Sequence, residues 1–243
     1  FGKQIALKFN IFLMEKNTEL KTLLEAASRE ISADFTFKEL TSGHINQTYL
    51  VSNNGEQLIL QKLNREVFNN LEAITQNILS VCNHLKKKHY PNQVLQLVDF
   101  KNGDYLHDGQ WRIFEFIDNT QTFLKVTSAK QAYEAAKFLG RFHAYLSDIA
   151  LDKIQDSIEG FIDFEMRSQQ YQKALKKTVA SRFKQAENAV LFLEENRSIL
   201  TNWLALLPQI PTRIIHADSK ISNFLFDKED ANKIVALPIM KTT

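Results

Sequence analysis

The chain has little of what staples or interrupts a fold. One cysteine, four prolines and seven glycines occur in 243 residues. The lone thiol, Cys82, excludes an internal disulfide and fits a reducing compartment, so a cytoplasmic location is expected. No apolar run approaches the ~20 residues that cross a bilayer, and no membrane partner is expected. Charge of one sign is lacking too: 30 Lys and Arg stand against 28 Asp and Glu, a formal net of +2. The one basic cluster, Lys86-Lys87-Lys88, reads as the solvated end of a helix, which argues against a nucleic-acid partner. Internal repeats and low-complexity tracts are absent.

What is there is an ordinary globular composition, 44% hydrophobic and 24% charged. The length suggests one large or two modest domains. Residues 1–13 lack the small-residue cleavage site of a signal peptide, and Met14 opens a more ordinary beginning. That first segment is expected to be an extension, with the native chain starting near Met14.

Leu20, Leu23, Leu24, Ala27 and Ile31 recur at helical steps and predict a helix over 18–31. A β-like stretch from Phe35 leads through Ser42-Gly43-His44-Ile45-Asn46 to Val51. Asn53-Asn54-Gly55 is a hairpin signal, and 58–63 reads as the next strand. Leu71, Ile74, Ile78, Val81, Cys82 and Leu85 predict a helix over 69–88, and 95–100 and 111–117 read as two further strands. The expected fold class is α+β: an antiparallel sheet of five strands with one helix laid against it, then a mostly helical remainder. Asp118-Asn119-Thr120 breaks the pattern and is the expected linker, dividing residues 1–117 from 118–243. Helices are predicted over 129–148, 161–175 and 180–207. His143, on the apolar stripe of the first of these, reads as a buried, hydrogen-bonded core residue rather than a ligand.

Residues 213–227 read as a short strand, a polar loop and a second strand. Inside the loop, His216, Asp218 and Asn223 are spaced His-x-Asp-x-x-x-x-Asn. Phosphoryl transfer uses an Asp and an Asn at this separation, the Asp taking the proton of the attacking hydroxyl and the Asn holding a magnesium ion against the nucleotide phosphates. A polar turn with no chemistry has the same spacing, and the loop alone does not separate the two. Ser42-Gly43 can lay backbone N–H groups over a phosphate or be a plain hairpin. Lys62 can reach a phosphate as a point charge or be a surface lysine.

Together, the stretches 42–51, 58–64, 139–146 and 216–223 resemble the two-lobed protein-kinase-like fold in its small-molecule branch, the aminoglycoside phosphotransferase and choline kinase family. Within it the chain looks most like the N-acetylhexosamine 1-kinases, over about residues 18–235. The resemblance implies ATP and Mg2+ as cofactors and a soluble sugar as substrate, a role in carbohydrate metabolism. By position, Ser42, Gly43, His44, Asn46 and Lys62 would meet the phosphates, and backbone groups of Glu115, Phe116 and Ile117 the adenine. Asp218 would be the catalytic base, Asn223 the metal ligand, and His44, Asp218, Lys220 and Arg167 would face the acceptor. An acidic partner for Lys62 is expected on the following helix; Glu72 is one candidate, while the position that aligns, Gln76, is neutral.

Two departures stand beside this. Family members carry an aspartate on a strand after the catalytic loop, where this sequence reads Asn232-Lys233-Ile234-Val235-Ala236-Leu237-Pro238. They also continue into a further helical segment. The expected explanations are an incomplete sequence, residues dropped between Leu237 and Pro238, or a degenerate kinase that binds nucleotide or sugar without catalysis. Asp227, Glu229 and Asp230 lie nearby but in an expected turn. Other acceptors, an amino alcohol or an aminoglycoside, stay open.

Overall fold

A computed structural model describes residues 2–41 and 45–238, with side chains from Leu13 onward. Helix α1 (Gly2–Ala26) runs through Met14 without a break. It stops short of the expected Ile31 because Ser28 turns left-handed at φ 59° and the Arg29 N–H closes back on the Leu24 carbonyl at 2.8 Å. Strands β1 (Thr36–Glu39), β2 (Gln47–Asn53) and β3 (Glu56–Lys62) follow. The β2–β3 hairpin pairs Asn53 with Glu56, leaving Asn54 and Gly55 at φ 53° and 74°, as a two-residue type I′ turn requires. Helix α2 (Leu71–Lys87) starts where Asn70 Oδ1 accepts the Ala73 N–H at 2.9 Å. Strands β4 (Leu97–Val98) and β5 (Trp111–Glu115) complete an antiparallel sheet in the order β1-β2-β3-β5-β4. The α+β expectation holds, although the strand expected over 95–100 contracts to two paired residues.

Each face of this sheet has its own core. Leu20, Leu23 and Leu24 of α1 pack on Tyr49, Val51, Leu58, Leu60, Trp111 and Ile113. Ile74, Ile78, Val81 and Leu85 of α2 join Leu63 and Phe114 from the other face. Burying such side chains is worth about 1.5–3 kcal/mol apiece, enough to set each strand's facing.

After the sheet, β6 (Thr120–Gln121) pairs with β7 (Leu225–Asp227), and β7 with β8 (Ile234–Ala236). Helix α3 (Ala129–Tyr145), capped by Ser128, lays Ala135 and Phe138 on Phe224, Phe226 and Ile234. The strand expected at 213–215 does not form. Ile214 is buried by its side chain, while the backbone N–H two residues on, that of His216, donates to a ring nitrogen of His143 instead of a strand.

The chain forms two compact units, residues 159–213 and residues 1–158 with 214–243. The 159–213 unit holds α4 (Phe164–Lys177), α5 (Ala180–Glu195) and α6 (Arg197–Leu206). The single helix expected over 180–207 is two, because the Asn196 side chain donates to the Phe192 carbonyl at 2.8 Å and closes α5. No residue of these three helices is buried. Among the described residues no helix is long and apolar enough to cross a membrane.

Candidate active site

The loop of residues 216–223 is held by its own histidine. His216 is 1% exposed, its Nδ1 accepts the Asp218 N–H at 3.3 Å, and its Nε2 lies 2.9 Å from the Pro238 carbonyl. That pairing selects the neutral tautomer with the proton on Nε2. The Phe142 ring meets the imidazole near edge-on, at 6.1 Å and 72°. His143 Nε2 accepts the His216 N–H at 3.4 Å, which ties the loop to α3. His143 is therefore half-buried and hydrogen-bonded, and its bond goes to the loop.

Ala217 sits at φ 60°, a left-handed conformation that costs a non-glycine residue of order 1 kcal/mol. The chain then turns through a short 3-10 stretch, Ile221–Asn223. Asn223 Nδ2 donates to the Asp218 carbonyl at 2.7 Å. The Asn223 side chain thereby closes back on the backbone of Asp218, five residues earlier. Lys220 is exposed beside them.

The donor set does not by itself make a magnesium site. Mg2+ is usually held by one or two carboxylates together with substrate phosphates. Among the described residues no group of three or more His, Cys, Asp or Glu could hold a metal. Asn223 offers one amide oxygen, and β8 leads into Leu237 and Pro238 with no carboxylate. The acidic turn is engaged elsewhere: Asp227 pairs with Lys233 at 2.8 Å and accepts the Glu229 N–H, while Asp230 accepts the Asn232 N–H.

His143 carries a pH consequence. Burial lowers its pKa below the ordinary histidine value, so the folded state favours the neutral ring. The unfolded chain then takes up the proton first as pH falls, and stability drops on the acidic side of about pH 6.5. We expect the thermal midpoint to decline from pH 7 to pH 5, with a shallower slope in His143→Gln; equal slopes would remove His143 as a contributor.

The sheet places the remaining expected residues unevenly. Ser42, Gly43 and His44 lie outside the described residues. Asn46 Oδ1 accepts the Asn64 N–H at 3.0 Å, tying the entry of β2 to the exit of β3. Lys62 requires correction. Alternation along β3 turns it to the α1 face, where its Nζ pairs with Glu19 at 3.2 Å and lies 5.3 Å above the Trp111 ring. The acidic partner comes from α1, not from α2, whose Glu72 and Gln76 are exposed. Burial alone would raise the Glu19 carboxyl, but hydrogen bonds from Lys16 and Lys62 outweigh it and hold the pKa below its ordinary value.

At the far end of β5, the Glu115 N–H donates to the Gln96 carbonyl at 3.0 Å, and the Ile117 carbonyl accepts the Thr120 hydroxyl at 2.9 Å. Arg167, on α4, donates to the Gly160 carbonyl and to Gln170 within its own unit. The sequence reading passed over Thr48, Gln61 and Arg112, polar residues that share the α2 face of the sheet. The signal was available, since an arginine interrupts the apolar run 111–117 at a core-facing position.

Solved structures show the fold. A spectinomycin phosphotransferase, crystallised with ADP and spectinomycin, superposes with a TM-score of 0.58 at 10% identity, covering 93% of this chain and 69% of that one. A microcompartment-associated aminopropanol kinase gives 0.56 at 16% identity, covering 92% and 68%. A thermostable aminoglycoside phosphotransferase in its apo form gives 0.50 at 13%, covering 91% and 71%. At such identities these likenesses establish the architecture, α+β with a five-stranded antiparallel sheet. The sequence itself matches the phosphotransferase enzyme family over residues 36–237, and with most of its length accounted for, the chain belongs to that family.

Proposed function

We propose that the protein is an ATP-dependent phosphotransferase acting on a small-molecule hydroxyl, the anomeric hydroxyl of an N-acetylhexosamine. The observation that carries this is the Asp218–Asn223 loop, anchored by His216 and His143, within a chain of the phosphotransferase family. Asp218 accepts the proton of the attacking hydroxyl. That oxygen bonds to the γ-phosphorus as the bond to the leaving ADP oxygen breaks. Catalysis of this kind is mainly positioning, which a loop held by a buried histidine supplies. Adenine falls to the backbone of Glu115–Ile117, and the magnesium part of the reading rests on Asn223. Residues 1–117 and 118–243 form the two lobes of this reading, supported by the pairing of Thr120–Gln121 with β7 at the end of the expected linker.

The sugar acceptor is supported by the Gly43-His44-Ile45-Asn46 segment and by Lys220 and Ser222, which match the sugar-kinase branch. The related proteins act on an aminoglycoside and an amino alcohol, and these define the competing acceptors. ADP release measured with N-acetylglucosamine, N-acetylgalactosamine, aminopropanol and spectinomycin decides among them. Release with the N-acetylhexosamines is expected, and release with only another acceptor would sink the sugar assignment. A second reading, a nucleotide-binding pseudokinase, is favoured by the exit of β8, where Ala236-Leu237-Pro238 carries no carboxylate. It predicts an ATP-induced thermal shift that ignores magnesium, with no ADP release from any acceptor.

A further inference from the structure

Beside the β7–β8 hairpin lies a cavity that the chemistry above does not use. It holds about 300 Å3, the small end of ligand sites, and is lined by residues 91–93, 118–119 and 233–235 with Asp227. Three parts of the chain meet there: the connection from α2 to β4, the segment after β5, and the hairpin itself. Main-chain bonds tie them together. The Gln93 N–H donates to the Val235 carbonyl at 3.2 Å, and the Lys228 N–H to the Asn119 carbonyl at 3.0 Å. Asn119 stands at φ 55°, a left-handed conformation that asparagine adopts more readily than most residues. The walls are therefore set by backbone, and the cavity is preformed.

Its lining offers more acceptors than donors. Asn92 Oδ1 is buried and has no hydrogen-bond partner among the described residues. An orphaned buried oxygen is costly, so a donor from outside the chain is favoured there. Asp118 is exposed and forms no ion pair among the described residues. Asp227 is ionised, because the Lys233 ammonium at 2.8 Å holds its carboxyl below the usual carboxylate range. Lys233 is thus taken up by Asp227, and the two carboxylates of the lining outnumber its one cation.

An ammonium group matches this set, since it carries three donors and no acceptor. Pro91, Ile234 and Val235 add apolar surface on which a short alkyl chain can lie. An anion would instead meet Asp118, with only a lysine that already serves Asp227 to answer it.

We propose that this cavity is a binding site for a small primary ammonium compound, its cation on Asn92 Oδ1 and Asp118 and its alkyl chain along Pro91 and Val235. The proposal is independent of the phosphotransferase reading, which places none of these residues against nucleotide or acceptor. Because the ligand bridges the α2–β4 connection and the segment after β5, its occupancy stabilises the folded chain by mass action.

The test is a titration of the full chain with n-propylammonium chloride at low ionic strength and pH 7, where an alkylamine is protonated. Amide NMR reads the site. Propylammonium has no hydroxyl to phosphorylate, so its binding is separate from turnover, and n-propanol is the neutral control of equal length. Saturating amide shifts are expected at residues 92–93, 118–119 and 233–235, with propanol weaker by about 10-fold or more. Asn92→Leu is expected to weaken propylammonium about 10-fold, and Asp118→Asn, which alters an exposed carboxylate, about threefold. Circular dichroism checks that each variant is folded, and Asp118→Asn with the propanol contrast carries the test if Asn92→Leu does not fold. Shifts confined to other residues, equal affinity for propanol, or unchanged affinity in the folded variants overturns the proposal. So does the absence of any saturating shift, which leaves the cavity to water alone.

Discussion

Asp218→Asn is expected to lower the rate of ADP release by roughly 10²–10⁴-fold, with nucleotide affinity and thermal midpoint unchanged. The substitution keeps shape and volume, and two contacts that hold this part of the loop use the Asp218 backbone: its N–H on His216 Nδ1 and its carbonyl under Asn223 Nδ2. Those survive. What disappears is the carboxylate that receives the hydroxyl proton as the phosphorus–oxygen bond forms. The loss should appear in kcat with little change in KM, the pattern of an interaction made mainly in the transition state. Turnover equal to wild type would remove Asp218 from the chemistry.

His216→Ala should produce the largest loss of stability among the loop variants. It leaves the Asp218 N–H and the Pro238 carbonyl without their ring partners, removes the edge contact with Phe142 and opens a void at a 1% exposed position. An orphaned polar group costs about 1–3 kcal/mol when buried. Pro238 and Asp218 are half-buried, so the total expected is about 2–5 kcal/mol. For a chain of this length that lowers the thermal midpoint by roughly 5–15 °C. His216→Gln can still donate to the Pro238 carbonyl and should recover part of it. A midpoint within about 2 °C of wild type in His216→Ala would show that the loop is held by other contacts.

The site was partly legible in advance. The spacing of Asp218 and Asn223 is a local property, and the 3-10 stretch that ends at Asn223 lets its side chain reach the Asp218 carbonyl. The role of His143 was half legible: its position on an apolar stripe pointed to burial, but nothing local could say that its acceptor nitrogen would face the His216 N–H, which is 73 residues away. The misreading of Lys62 has a similar cause. A single strand alternates between two faces without saying which is which, and that assignment waits on the helices packed above and below. Glu19 became its partner because α1 lies on that face, while α2 had looked nearer in sequence.

Periodicity and turn chemistry, which act over a few residues, were enough to determine the helices α2 and α3, the Asn54-Gly55 hairpin and the presence of the strands, though not the extent of β4. The Asp218–Asn223 spacing and the α+β class came with them. Tertiary structure decided what depends on partners far along the chain. It kept 213–215 from pairing as a strand and sent Lys62 to Glu19. It also set Thr48, Gln61 and Arg112 side by side across three strands. A strand's register and facing are fixed by which apolar surfaces can be buried together, and that is a property of the assembled sheet and its helices rather than of any one stretch.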